Sequence, residues 1–498
     1  MRPLVIRTLF VLAFSSLLVN IFLYRNDIAS STFPCAPVKH LGEPWPQRQQ
    51  CPFAASPLRF SDSLKQREYT RGVLRPRFNH DRRPAVGHID EPLLPAFLAQ
   101  PNTLTLKYAT TRADCSKATI AYVDVDSDPE RDDTGKLLFG AATTVERLDE
   151  ALARLAYSIG GTKASMIALV PPADNLEEKQ TYFRSRGLDI VLVPSELDFT
   201  LRYFSLVRAF NAHMSNNRPD SEWMIMIDDD TFFSSLSLVS ERLSTLSSSK
   251  PHWIGATSEA SWQVKNFGRI GFGGAGIILS RNLVETLDQS YDDCTGEELG
   301  VLDMPGDQRL AKCINKVLPM LKLTLWNELH QWDMRPEPHG LFESGRPIWS
   351  FHHFHGGKWG NADMVGMSTV ATVAGDRSIL RRWVFDSKGS GKSQERDFWV
   401  LTNGYSIVHY HITAGTPDIN FEHTEHTWAD AAEGYEESVG PLRPVNQEGA
   451  TKKRWLLRDA VKVGANVHQF YWYESATENS VIEIIWLGVD PKSGALLE

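Results

Sequence analysis

The stretch Trp223-Met-Ile-Met-Ile-Asp-Asp-Asp230, continuing into Thr231-Phe232-Phe233, decides how this chain is read. Its apolar run from Trp223 to Ile227 reads as a short buried strand, and three aspartates end it. Carboxylates crowded at a strand end repel one another unless something neutralises them. A divalent cation is the simplest remedy, because hard cations prefer carboxylate oxygen. Alternate residues of an extended segment point the same way, so Asp228 and Asp230 can share one ligand. The competing reading is an acidic turn capping a helix that starts near Ser234.

Upstream of this stretch, strands and helices alternate. Ala118–Val123 and Lys136–Gly140 read as strands separated by an acidic loop from Asp124 to Asp133. Val145, Leu148, Leu152, Leu155 and Ile159 share a helical face that Gly160-Gly161 ends. Strands follow at Ser165–Val170 and Asp189–Val193, and helices at Leu176–Arg186 and Arg202–Met214. Such alternation predicts a mostly parallel α/β sheet with right-handed crossovers. Ligands of such sheets bind beyond the carboxyl ends of the strands, here after Phe139, Val193 and Ile227. The alternating Asp124, Asp126 and Asp128 lack the glycine of a calcium loop and read as a solvated acidic turn.

The Trp223–Asp230 block resembles the W-F-x-x-x-D-D-D segment of the Fringe-like glycosyltransferases of glycosyltransferase family 31, relatives of core 1 β1,3-galactosyltransferase. Phe272-Gly-Gly-Ala-Gly-Ile-Ile-Leu-Ser-Arg281 is similar to that family's G-G-A-G-x-x-x-S-R segment. Met304-Pro-Gly-Asp-Gln-Arg-Leu-Ala-Lys-Cys313 resembles its P-D-D or E-D-V segment, and Ile348-Trp-Ser-Phe-His-His-Phe-His355 its late S-F-H or F-H-S-H segment. Phe139-Gly-Ala-Ala-Thr-Thr-Val-Glu-Arg147 is similar to the first strand and turn, and Arg208 stands where Fringe proteins carry a lysine. The blocks occur in family order over roughly residues 136–356, and the rest of the chain resembles the extra segments of fungal members more loosely.

That resemblance implies a GT-A fold, a UDP-sugar donor, Mn²⁺ (or Mg²⁺) and inversion at the anomeric carbon. It implies Asp230 and Asp228 as metal ligands, with Asp228 also close to the ribose and Asp229 facing the sugar or the protein. His352 is the first choice for a histidine ligand, with His353 and His355 as alternatives; imidazole would favour Mn²⁺ over Mg²⁺. Thr143, Arg147 and Arg208 become donor-binding candidates. So do Gly274, Ala275 and Gly276, whose small side chains let backbone amides approach a sugar or phosphate. Asp307 becomes the candidate general base, removing the acceptor hydroxyl proton. The alternative is a helix cap before Leu310–Val317. Gly306 departs from the family pattern, standing where the first acid of the pair belongs.

The 498 residues carry 42% hydrophobic and 23% charged residues, ordinary for a chain that buries a real core over two or three folded units. A net charge of −9 gives no global attraction for polyanions, so nucleic acid is not an expected partner. Arg2 and Arg7 precede an apolar run from Thr8 to Tyr24, read as a type II signal anchor. A cleaved signal peptide and a buried soluble helix are the alternatives. An anchor this short suits an early secretory membrane, in the Golgi or endoplasmic reticulum. Five cysteines fit an oxidising lumen, and Cys35–Cys51 and Cys294–Cys313 are the local pairings expected first.

The expected organisation is a tail (1–7), an anchor (8–24), a Pro-rich stem (25–105), a GT-A domain (106–370) and a small β-rich extension (371–498). Within the extension, Asn403-Gly404 between apolar runs signals a hairpin, and Val467–Trp472 and Val481–Leu487 read as further strands. The expected function is metal-dependent transfer of a hexose or N-acetylhexosamine from a UDP-sugar to a glycan or glycoprotein hydroxyl, forming a β1,3-type linkage. The alternatives are a glycan-binding protein that kept the fold and lost turnover, and a metal-dependent hydrolase. The hydrolase reading leaves the glycine segment without a role.

Overall fold

The computed structural model describes residues 120–126, 131–296, 304–335, 337–353, 362–387, 396–413, 419–429, 436–446, 452–475 and 478–497, preceded by strands at 32–34, 50–52, 66–79, 86–89 and 102–105. The expected anchor at 8–24 lies outside these residues, as do Cys35, Asp128 and His355. Among the described residues no helix is long and apolar enough to cross a membrane.

A seven-stranded sheet runs in the order Thr324–Leu325, Trp253–Gly255, Ile277–Ser280, Trp223–Met226, Leu137–Ala142, Ser165–Val170, Ile190–Pro194. The last four strands are mutually parallel, and Ile277–Ser280 pairs antiparallel with both its neighbours. These strands read as continuous apolar runs because both faces are covered. Leu137, Phe139 and Ala141 join one core, which the helix Val145–Ser158 covers. Leu138 and Ala142 join the other, beneath the helix Phe199–Asn216. That helix starts three residues before the expected Arg202, because the Asp198 carboxylate accepts from the amides of Thr200 and Leu201. Likewise the helix expected near Ser234 spans Leu236–Leu243, with Ser235 as its cap.

The β-rich region departs most from expectation. It is a ten-stranded sheet, not a small module confined to residues 371–498. Gln66–Asn79, read as stem, is a 14-residue strand parallel to Asn479–Trp486 on one side and to Ile120–Asp126 on the other. Ile120–Asp126 therefore belongs to this sheet and not to the seven-stranded one. The strand was hidden by its arginines, of which Arg71, Arg75 and Arg77 find partners in the fold. Arg71 donates to buried Glu483 at 2.5 Å, and Arg77 pairs with Asp124. Arg75 and Arg77 both lie over the Tyr122 ring. The expected hairpin forms from Arg396–Thr402 and Ser406–Ile412, with Asn403 and Gly404 in its turn.

A short ribbon joins the two regions. Phe232–Phe233 pairs antiparallel with Ser350–Phe351. Phe232 and Phe351 sink into the core of the large sheet, while Phe233 packs into the core of the seven-stranded one. Residues at one end of the ribbon, Asp230 and His352, are thereby fixed by both cores at once.

Candidate active site

The three aspartates leave the Trp223–Met226 strand in alternating directions. Asp229 turns back into the protein and is 6% exposed. It accepts from the Thr143 hydroxyl and from Nε of Arg147 at 2.6 Å, with a second Arg147 nitrogen on its other oxygen. This two-point pairing raises the Arg147 guanidinium further above its ordinary range. Asp228 and Asp230 point the other way, towards His352. Nε2 of His352 lies 2.8 Å from Oδ1 of Asp230 and 3.4 Å from Oδ2 of Asp228.

The His352 ring is aimed by its other nitrogen, Nδ1, which lies 3.3 Å from the Gln331 carbonyl. Donation from Nδ1 to that carbonyl aims Nε2 at the carboxylates, to which it donates when protonated and beside which its lone pair, when neutral, could meet a cation. His353 stacks on His352 with ring centroids 3.7 Å apart and holds a left-handed backbone at φ 54°. Its Nδ1 lies 3.6 Å from Asp333, whose other oxygen accepts from Ser258 at 2.5 Å. One ligand atom each from Asp230, His352 and His353 falls within 4.8 Å of the others. Two imidazoles with a carboxylate, and a second carboxylate beside them, make a donor set suited to a divalent transition ion.

The electrostatics are those of close-set, buried carboxylates and imidazoles. Burial pushes Asp228 up to about 6; His352 opposes this, while Asp230 and Asp307 add to it. Its side chain is still 31% exposed, so solvent tempers the effect. Burial also acts on Asp230, but its hydrogen bond to His352 prevails and holds it at about 2. His352 is raised: burial opposes the shift, and the Asp230 bond and the Asp228 charge outweigh it. Burial lowers His353 to about 4 and raises Asp333 to about 7.

The glycine segment forms the wall. A Cβ on Gly274 would sit 2.3 Å from Nδ1 of His352, so only glycine lets that ring lie flat on the backbone. Ala275 is fixed by Gln331, which accepts from its amide at 2.9 Å, and by the Ser350 hydroxyl, which donates to its carbonyl at 2.5 Å. Gly276 then leads into Ile277–Ser280. Asp307 lies in the first turn of the helix Gly306–Val317, which starts earlier than the expected Leu310. Its carboxylate accepts from the amides of Gly273 at 3.3 Å and Gln308 at 2.7 Å, and burial raises it despite these bonds. Asp307 therefore serves its own helix terminus and the glycine wall together. Cys294 and Cys313 form a disulfide between the helix Tyr291–Thr295 and the Asp307 helix.

Arg208 is not gathered here. It pairs with Asp288 and Asp292 and lies 3.8 Å over the Tyr291 ring. The residue its helix directs to the site is Tyr203, five positions earlier and about 140° around the helix. The Tyr203 hydroxyl is buried with no hydrogen-bond partner among the described residues. Burial, then Asp228 and Asp307, raise it well above the usual phenol range. Gly306 is explained by the same side chain, since a Cβ there would lie 2.6 Å from Cβ and Cδ1 of Tyr203. Arg154 is a second residue missed from the sequence. It is half-buried and feels the charges of Asp230 and Asp229. It stands seven positions after Arg147, two turns along one helical face, and that spacing was legible. Gln331 and Asp333 had no such signal, because they flank Trp332 in a left-handed conformation at φ 66° that no local pattern announces.

Comparison with known proteins touches part of this site. A family described as a protein of unknown function, DUF604, matches residues 264–362, the stretch holding the glycine wall, Asp307 and His352. A comparison with curated proteins gives no match. Similar solved structures include the glycosyltransferase GlyE of Streptococcus pneumoniae TIGR4, 16% identical over 38% of this chain and 44% of that one, with a TM-score of 0.26. Mouse xyloside xylosyltransferase 1 is 11% identical over 43% of this chain and 96% of that one, with a TM-score of 0.28. A glycosyltransferase involved in glycosylating the major capsid of PBCV-1 is 12% identical over 44% and 92%, with a TM-score of 0.26. The chain spans about half the length of the pneumococcal protein, and likeness at this level assigns no activity.

Proposed function

We propose that this protein is a metal-dependent, inverting glycosyltransferase. It would move a hexose or N-acetylhexosamine from a UDP-sugar to a hydroxyl of a glycan or glycoprotein, forming a β1,3-type linkage. The carrying observation is the convergence of Asp228, Asp230 and Nε2 of His352 against a glycine wall that also holds Asp307. The family match at residues 264–362 overlaps three of the blocks that resemble Fringe-like enzymes and supports this reading.

Asp230, Asp228 and His352, with His353 beside them, would hold the cation. A bound Mn²⁺ or Mg²⁺ supplies Lewis-acid stabilisation of a diphosphate leaving group. Asp229 holds Arg147 at the mouth of the site, where the guanidinium can meet phosphate oxygens. The glycine wall lets the donor approach the backbone. Asp307, raised by burial, would take the proton from the acceptor hydroxyl. That oxygen bonds to the anomeric carbon as the carbon–oxygen bond to the diphosphate breaks, releasing UDP.

The binding-only reading drew on Gly306. Tyr203 occupies the space a side chain at 306 would need, so glycine has a packing reason there that is independent of activity. We further propose the type II anchor at 8–24 and a lumenal Golgi or endoplasmic reticulum address, supported by the apolar run and the cysteine usage. The test is UDP release from a panel of UDP-sugars, with and without acceptor glycans, in Mn²⁺ or EDTA. Metal-dependent release that disappears in Asp230→Ala and Asp307→Asn is expected. Failure to bind any UDP-sugar would overturn the reading.

A further inference from the structure

The Phe232–Phe233 and Ser350–Phe351 ribbon has two ends. Asp230 and His352 occupy one. Ser234 and Trp349 leave the other, and there they border a cavity of ≈ 450 Å³ between the helix Leu236–Leu243 and the loop after Asp376. Four residues at roughly 3.3 Å each separate the ends, so the cavity lies about 13 Å from the metal cluster. Its volume falls within the range of small-molecule sites.

The walls carry paired charges. Arg242 donates to Glu328 at 2.7 Å, Arg377 to Glu241, and Arg381 to Asp126 at 3.1 Å. The Arg377 and Arg381 side chains are 9% and 6% exposed, and their carboxylate partners are more open, at 32% and 18%. Buried ion pairs are a poor way to gain stability, because apolar residues of similar volume usually do as well. Two buried guanidiniums, with the part-exposed Arg242–Glu328 pair beside them, around one open space call for another reason. Leu238, Ile348 and Ile379 supply an apolar floor, and Trp349 lies among them with Arg242 over its ring at 5.4 Å.

This lining selects a ligand class. An anion would meet Glu241, Glu328, Asp126 and Asp376, and a cation would meet the guanidiniums of Arg242, Arg346, Arg377 and Arg381. A neutral polyhydroxyl ring can donate to the carboxylates, accept from the guanidiniums and lay its C–H face on the apolar floor. We propose that this cavity is a second binding site, separate from the metal cluster, for a neutral saccharide unit. The proposal goes beyond the transfer reaction and is read without turnover.

The experiment is saturation-transfer NMR on the full chain in EDTA without nucleotide. The probes are neutral oligosaccharides of galactose, N-acetylglucosamine and mannose, with a sulfated disaccharide alongside. At least one neutral probe is expected to bind. Thr245→Trp, at the exposed rim, and Leu238→Trp, in the floor, are each expected to weaken it at least tenfold. Asp230→Ala is expected to leave it intact while abolishing metal-dependent UDP release, so the two proposals fail separately. Thermal unfolding identifies a variant that fails to fold, and the other then decides. Absence of binding by every neutral probe, tighter binding of the sulfated one, or binding lost in Asp230→Ala but kept in a folded Thr245→Trp would overturn the proposal.

Discussion

At the residue scale, the site rests on alternation. Asp229 is consumed by Thr143 and Arg147, which leaves Asp228 and Asp230 to share His352. That Asp228 and Asp230 share a ligand was legible in the sequence as a period of two, although the backbone there is a turn, closed by the Thr231 amide donating to the Asp228 carbonyl. The pairing of Asp229 with Thr143 and Arg147 was not, since it joins residues 82 and 86 positions apart. Asp230→Ala is expected to lower kcat at least about 100-fold, as loss of a charge-stabilising group does. Steady-state UDP release at saturating Mn²⁺ checks it. Gly274→Ala is a sharper test of geometry. Its Cβ would displace the buried His352 ring, so Mn²⁺ affinity should fall about tenfold or more, with a stability loss of about 1–3 kcal/mol from overpacking. Calorimetric titration of Mn²⁺ alongside a thermal melt measures both.

At the element scale, the helix Phe199–Asn216 positions Tyr203 between the glycine wall and the start of the Asp307 helix. Helices and strands of the seven-stranded sheet were readable because each carries its own pattern. The strands are apolar on both faces, and the Val145–Ser158 helix shows its buried stripe. Which face of the Phe199–Asn216 helix meets the site was not readable, because apolar and polar residues surround it, and the charge of Arg208 is more conspicuous than the ring of Tyr203. Gly306→Asp, which restores the acid of the Fringe-like pattern, is expected to destabilise the fold by about 1–3 kcal/mol through overpacking against Tyr203. Adding Tyr203→Ala should return part of that loss relative to Tyr203→Ala alone, a coupling that a denaturant-unfolding cycle reads directly.

At the scale of the whole molecule, the ten-stranded sheet shares its core with the site through Phe232, Trp332 and Phe351. It joins strands from before residue 80 to strands after residue 450, and pairings of that separation leave no local signature, which is why the stem reading missed Gln66–Asn79. A buried histidine in this region gives the fold a pH dependence. Burial, then Arg454, lowers His339 to about 4, where it packs against Tyr405. The unfolded chain binds this proton near pH 6.5 and the folded one only near 4, so stability falls as pH drops through that window. The loss is on the order of 3 kcal/mol, and His339→Gln should flatten the slope between pH 7 and 4.5 in denaturant titrations. The central claim, a cation held jointly by aspartate and histidine, is tested most directly by electron spin-echo spectroscopy of Mn²⁺ on the full chain with UDP. Modulation from a coordinated imidazole nitrogen is expected, reduced in His352→Ala and lost when His353→Ala is added, with Mn²⁺ binding itself lost in Asp230→Ala. Mn²⁺ bound without any nitrogen coupling, or bound equally in Asp230→Ala, would contradict it.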